Sequence, residues 1–333
     1  MMIRRRDFWL FSGGLFAAGS MASRLSAGQQ ERRDFRLSLS QRSMRSLIQN
    51  GDLNHLSFAE TARRDFGIDA IDYCSVSFRD HVSDEDYLGK LNRRAADQGV
   101  RQVLVMVDEE GHLAATDKAI REKAVDRHRR WIDAAAELGC RGIALRVSGA
   151  GEADQQLAWA IDSLQRLDEP AQKRNINLLV ASDRDLGAQA EQLSTMIQKA
   201  DSNRCASLAV FDVTHPNRVS PQRMQELMQR AKGVCVIVRG AVKPDSAEAN
   251  YLKRMISLVV DAGYRGYVSL EFRGDQQQAV ASIRSVQKLM DRFRGRSETK
   301  ATAPQSGQVD SVDCVKRPGL PLLRKVWFAT RRR

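Results

Sequence analysis

The chain has 333 residues, a formal net charge of +12 and 28% charged residues, long for one ordinary domain but within the range of a single α/β barrel of about 250 residues with extra ends. The charge sits in those ends: residues 1–33 carry +4, residues 292–333 carry +8 and residues 34–291 sum to zero, so the body has no excess positive charge with which to bind nucleic acid. The five cysteines, Cys74, Cys140, Cys205, Cys235 and Cys314, show neither CxxC nor zinc-like spacing, which argues against a disulfide framework and leaves four of them as small buried hydrophobes in apolar runs.

The chain opens with an arginine cluster, an apolar run from Phe8 to Ala18 and small residues at Leu25-Ser26-Ala27. That pattern reads as a targeting segment over residues 1–33, and Arg5-Arg6-Asp7-Phe8 resembles a twin-arginine export signal, with an amphipathic start carrying chance arginines as the alternative. Export out of the cytoplasm follows from the first reading.

From Asp34 strands and helices alternate without a break. The expected pairs are Phe35–Ser40 with Phe58–Phe66, Ile68–Val76 with Glu85–Gln98, Val100–Val107 with Ala119–Leu138, and Gly142–Val147 with Ala153–Arg174. The second half pairs Ile176–Ala181 with Ala188–Ala200, Ala206–Phe211 with Pro221–Arg230, Gly233–Val238 with Ala247–Ala262, and Tyr267–Phe272 with Gln276–Phe293. Gly67, Gly99, Gly139 and Gly263 stand where a left-handed helix cap is wanted before the next strand. Runs such as Val103-Leu104-Val105-Met106-Val107 suit strands buried on both faces, as in parallel sheets. No GxGxxG follows the first strand, and eight units favour a closed (β/α)8 TIM barrel over residues 34–295 rather than an open doubly wound sheet. Beyond it, residues 296–333 lose periodicity and end in LPLLRKVWFATRRR, a basic tail that is either solvated or in contact with an anionic surface.

Seven segments in order carry a specific likeness: SLSQRSMRSLI from Ser38, FGIDAIDY from Phe66, VDEEGHL from Val107, HRRWIDAAAELGC from His128, LRVSGAG from Leu145, INLLVAS from Ile176 and DAGYRGYVSLEF from Asp261. Together they resemble the sugar phosphate isomerase/epimerase family of xylose isomerase-like barrels, in its exported planctomycete-type form. The resemblance implies one divalent ion (Mn, Mg or Zn) at the C-terminal rim, where it would polarise a sugar's oxygens while acid-base groups move a proton or hydride between adjacent carbons. It assigns the strand-eight carboxylate to Glu271, and with it the chemistry.

The rest of the metal set departs from the family pattern. Where a strand-five glutamate is expected the chain has Ala181, followed two residues later by Asp183; strand seven offers Ile237 and then Arg239; the second glutamate after strand eight is Arg273. Strand six places either Val210 or, with a two-residue shift, Asp212 at the ligand position. The shifted reading gives Asp212-Val213-Thr214-His215, similar to an aspartate-x-x-histidine metal motif. Asp212, His215 and Glu271 are then the remaining candidate ligands, for a metal held weakly or not at all; the alternative makes Asp212 and His215 turn residues and pairs Glu271 with Arg273 or Arg146. Arg146 after strand four joins Glu271 as a catalytic candidate. Arg42 and Arg45 stand where relatives have tryptophan and histidine, and with Arg146 they suit an anionic substrate, although a surface role fits Arg42 and Arg45 equally. Asp72 and Asp108 are the remaining rim carboxylates, contacting substrate or these arginines. The implied function is isomerisation or epimerisation of a sugar or sugar acid with an incomplete metal site, or, alternatively, an inactive barrel that binds a ligand. An abasic-site DNA endonuclease shares this fold but needs a histidine-rich trinuclear zinc site, which five histidines mostly away from strand ends do not supply.

Overall fold

The computed structural model describes residues 35–293; the expected signal segment and the basic tail lie outside the described residues. Eight strands are described: β1 (Arg36–Ser40), β2 (Ala70–Cys74), β3 (Arg101–Met106), β4 (Gly142–Leu145), β5 (Asn177–Ala181), β6 (Cys205–Asp212), β7 (Ala231–Val238) and β8 (Tyr267–Phe272). They pair in parallel in sequence order and close into one barrel, β8 returning to β1 from Arg36↔Tyr267 through Leu39↔Leu270.

The helices are α1 (Arg45–Gln49), α2 (Phe58–Phe66), α3 (Glu85–Asp97), α4 (Lys118–Glu137), α5 (Ala153–Arg174), α6 (Asp185–Ala188), α7 (Ala190–Lys199), α8 (Pro221–Met228), α9 (Ala247–Asp261) and α10 (Ala279–Asp291). Their starts are written in the chain: Asp84, Asp117, Ser220 and Ser246 each accept a hydrogen bond from a first-turn backbone N–H of α3, α4, α8 and α9, satisfying donors that the helix leaves open. Their stops follow the glycines, with φ of +65° at Gly67, +60° at Gly99, +66° at Gly139 and +76° at Gly263.

Two apolar layers result from the strand period of two. One set of side chains, including Val105, Ile143, Leu178, Val180 and Val236, packs outward with Trp131, Leu164 and Met224 of the helices. The other, including Met106, Ala144, Ala181, Val210 and Ile237, forms a separate buried cluster inside the barrel. Cys74, Cys140, Cys205 and Cys235 are free and buried, as expected.

Three departures from the sequence reading have local causes. The expected helix 188–200 is observed as α7, starting at Ala190, and a separate short turn, α6, precedes it, with an extended Gln189 between them. Gly187 in α6 passes so close to β5 that a Cβ there would lie 2.0 Å from the Ala181 carbonyl oxygen. Strand seven starts two residues early, at Ala231, because a bulge between Ser207 and Leu208 shifts its register on β6. The last helix begins as a 3-10 turn, Gln276–Gln278, whose first donors are capped by Asp275.

Candidate functional site at the C-terminal rim

The inward-facing set continues past the strand ends in steps of two, which keep a side chain on the same side of the sheet. Met106 leads to Asp108, Ala144 to Arg146, Ala181 to Asp183, Val210 to Asp212, Ile237 to Arg239, and Ser269 to Glu271 and Arg273. The apolar interior therefore ends in a charged layer at the C-terminal rim, joined by Arg42 from the 3-10 turn Gln41–Met44 that follows β1.

Six of these side chains form a closed ring in which guanidinium and carboxylate alternate. Arg42 grips Asp108 with two hydrogen bonds, Nε to Oδ2 at 2.7 Å and Nη2 to Oδ1 at 2.6 Å. Arg146 Nη1 donates to the same Asp108 Oδ1 at 2.5 Å, and its Nη2 reaches Asp183 Oδ2 at 3.3 Å. Arg273 bridges on, from Asp183 Oδ2 at 3.3 Å to Glu271 Oε1 at 2.5 Å. Arg42 Nη1 closes the ring on Glu271 Oε2 at 3.3 Å. Three positive and three negative groups cancel, which is what allows a Glu271 side chain only 1% exposed to carry charge. Cys235 Sγ, 3.7 Å from Glu271, and Cys74 Sγ, 3.6 Å from Asp108, donate weakly from below. Gly274 lets the chain after Arg273 pass Arg239, since a Cβ there would meet the Arg239 carbonyl oxygen at 2.1 Å.

The ring's electrostatics follow from this pairing. Burial by itself would raise the Asp108 and Asp183 carboxyls, but the facing arginines outweigh it and hold both below the usual carboxylate range. Burial would likewise lower Arg42, yet Glu271 and Asp108 raise it well above its ordinary value. Asp72 sits lower in the barrel and is fully enclosed. It accepts a 2.6 Å hydrogen bond from Ser38 Oγ, and burial, with the nearby Glu271 charge, pushes its carboxyl up to about 6.

Asp212 lies on the same rim in a different arrangement. One of its oxygens accepts from Thr214 N at 3.0 Å and Thr214 Oγ1 at 2.6 Å; the other lies 2.8 Å from Arg239 Nε and 3.1 Å from His215 Nδ1. That is the geometry of a side chain ordering its own turn. Arg45 pairs with Glu109 at 2.8 Å on the outer edge, where both side chains are exposed to solvent.

The donor chemistry of this rim does not fit the expected divalent ion. A hard cation needs several anionic oxygens converging with free lone pairs. Here Glu271 is engaged by Arg273 and Arg42, and Asp212 by Thr214, His215 and Arg239. Among the described residues no group of three or more His, Cys, Asp or Glu side chains is placed to hold a metal ion, so Asp212, His215 and Glu271 do not assemble as a ligand set. Ala181 and Ile237 belong to the apolar interior instead of the rim.

The sequence places Arg146, Asp108 and Glu271 on one rim and leaves Arg42 open between the rim and the surface; the structure joins all four. It did not enrol Asp183 and Arg273 in a site, although each follows an inward residue, Ala181 or Glu271, by two positions. Beside the ring, between the ends of β5, β6 and β7 and the start of α8, opens a cavity of about 150 Å³ whose wall includes Asp183 and Arg273.

A family model described as xylose isomerase-like TIM barrel matches residues 61–293. Among solved structures, a 3-keto-D-glucoside 4-epimerase from E. coli is 13% identical, the match covering 77% of this chain and 99% of that one, with a TM-score of 0.61. An L-ribulose 3-epimerase is 17% identical over 77% of this chain and 93% of that one, TM-score 0.60. A xylose isomerase domain protein from Planctomyces limnophilus is 13% identical over 78% and 97%, TM-score 0.58. At these identities the structural likeness establishes the fold. No curated protein matches the sequence.

Proposed function

Because this chain belongs to the xylose isomerase-like TIM barrel family, we propose that it is a sugar-recognising barrel whose ligand is an anionic sugar derivative, held by guanidinium groups at the C-terminal rim. The observation that carries this reading is the ring itself: three arginines occupy the rim where a resident metal would need free carboxylates. A planar guanidinium fork suits carboxylate or phosphate oxygens and discriminates against a neutral hydroxyl. That the similar structures include a 3-keto-D-glucoside 4-epimerase and an L-ribulose 3-epimerase supports a sugar as the ligand class. Recognition proceeds by exchange. Arg146 Nε and Asp183 Oδ1 are buried without a hydrogen-bond partner among the described residues, so the edge of the ring between them has a donor and an acceptor to offer an incoming ligand.

The test is titration calorimetry of the full chain with uronates, aldonates and hexose phosphates against their neutral parent sugars. Anionic ligands are expected to bind at least about tenfold more tightly, a gap of about 1.4 kcal/mol, and to keep that preference in the presence of a chelator. Equal binding of the neutral sugars, or loss of binding on chelation, would sink the reading. Added manganese or zinc is expected to bind only weakly, in roughly the millimolar range. A tight single site abolished by Glu271→Gln would instead restore a resident metal.

A second reading, isomerisation or epimerisation of the bound derivative, is favoured by the place of Glu271 between Arg42 and Arg273. In that reading Glu271 takes a proton from the carbon beside the sugar's carbonyl, a guanidinium stabilises the resulting enediolate oxygen, and the proton returns to carbon. Deuterium incorporation from heavy water into a bound sugar acid, followed by NMR, separates turnover from binding alone.

A further inference from the structure

The cavity beside the ring is lined by five arginines, Arg184, Arg218, Arg223, Arg239 and Arg273, against two carboxylates, Asp183 and Asp212, an excess of three positive charges (five minus two). Two of the five are already committed: Arg239 to Asp212 at 2.8 Å, and Arg273 to Glu271 and Asp183. Arg184 stands 4.0 Å from Asp183 and is exposed.

The other two are less firmly engaged. Arg218, in the loop after β6, has no side-chain hydrogen bond or ion pair among the described residues, its backbone N–H alone binding the His215 carbonyl. Arg223, in the first turn of α8, is only 18% exposed, and its nearest carboxylate, Glu226, lies 3.7 Å from Nη1. Its Nη2 is buried with no hydrogen-bond partner among the described residues. A charged group held largely away from water is costly unless its donors are satisfied. Arg223 is met by a single carboxylate at 3.7 Å and Arg218 by none among the described residues, so the cavity wall carries guanidinium charge that the protein itself only partly balances.

We propose that this cavity is a binding subsite for a tetrahedral oxyanion, a phosphate or sulfate group, held by Arg218 and Arg223 with Arg239 at its back. At about 150 Å³ the space equals roughly five waters' share of the liquid, enough for such a group and a first carbon but not for a whole hexose. The subsite shares Asp183 and Arg273 with the ring, so a ligand seated in it continues onto the rim. Its part in sugar recognition rests on the function proposed above; the subsite itself does not.

The test uses the full-length protein and inorganic phosphate, then sulfate, at constant ionic strength, followed by titration calorimetry. Saturable one-to-one binding is expected for the parent. At least a tenfold loss is expected in Arg223→Gln and in Arg218→Gln, with Arg45→Gln unchanged as a control for general charge. Because Arg218 is exposed, its variant carries the test even if Arg223→Gln unfolds. Parent-like phosphate affinity in Arg218→Gln, or an affinity that Arg45→Gln lowers equally, overturns the subsite. Sugar phosphates and sugar sulfates then separate the sources. An ester bound more tightly than the free anion, with the gain lost in Arg223→Gln, ties the subsite to the sugar. Free anions bound with no preference for an ester uphold the subsite and defeat its part in sugar recognition. A sugar acid bound with no effect of either variant, where phosphate itself does not bind, defeats the subsite and leaves the sugar reading in place.

Discussion

Arg42→Met is expected to cost about 3 to 5 kcal/mol of unfolding free energy at neutral pH, the range for removing one partner from a buried ion pair. Arg42 is the link with both a bidentate grip on Asp108 and a contact with Glu271, whose side chain is 1% exposed. Methionine keeps most of the apolar stem and removes only the charge. Arg146 still touches Asp108 and Arg273 still touches Glu271, which favours the lower part of the range. Urea unfolding of the parent, of Arg42→Met and of Arg42→Met/Glu271→Gln measures both the cost and its coupling. The double variant is expected to recover part of the loss, because it removes a buried carboxylate that has lost one of its two guanidinium partners. The cost should also shrink in acid. Asp108 has a depressed pKa in the fold, so its contribution is present above the unfolded value of about 3.9 and disappears as pH falls through the folded one. A loss below about 1 kcal/mol with no coupling would show that the ring does not act as a unit.

Asp72→Asn should act in the opposite direction and with the opposite pH profile. The Asp72 carboxyl is fully enclosed and its pKa is raised from 3.8 to about 6. Below pH 4 it is protonated in folded and unfolded chains alike and makes no difference. Between 4 and 6 the unfolded chain releases its proton while the folded one holds it, so stability falls as pH rises, by about 3 kcal/mol once pH passes 6. Asparagine has no such proton to lose. The variant is therefore expected to match the parent near pH 4 and to exceed it by up to about 3 kcal/mol at pH 7 to 8. Thermal unfolding across that range is the measurement, and a variant destabilised equally at every pH would show that the hydrogen bond from Ser38 outweighs the buried charge.

The barrel was legible because its signals are local. Strand period and the glycines after the helices each act within a few residues of the chain, so the element order and most boundaries could be read from them. α5 and β8 fall on the residues expected, Ala153–Arg174 and Tyr267–Phe272. Among the boundaries that moved, β7 starts early beside the register shift at Ser207 and α7 starts at Ala190 after an extended Gln189, while β2 spans only Ala70–Cys74 of the expected Ile68–Val76 and β4 stops at Leu145.

Composition and pattern thus determined by themselves that this is a (β/α)8 barrel with a neutral body, and that Glu271, Asp108 and Arg146 share its C-terminal rim. Only the tertiary structure decided what those groups do to one another. Arg42 and Glu271 are 229 positions apart, and Arg273 and Asp183 are 90 apart; the first pair meets because β8 pairs with β1, the second because the barrel brings the ends of β5 and β8 to one rim. Whether a carboxylate there presents free lone pairs to a metal or is covered by a guanidinium depends on those distant partners and on a step of two past each strand end. Coulomb interaction depends on separation in space and not on separation along the chain, so the ring became visible only once the barrel had closed.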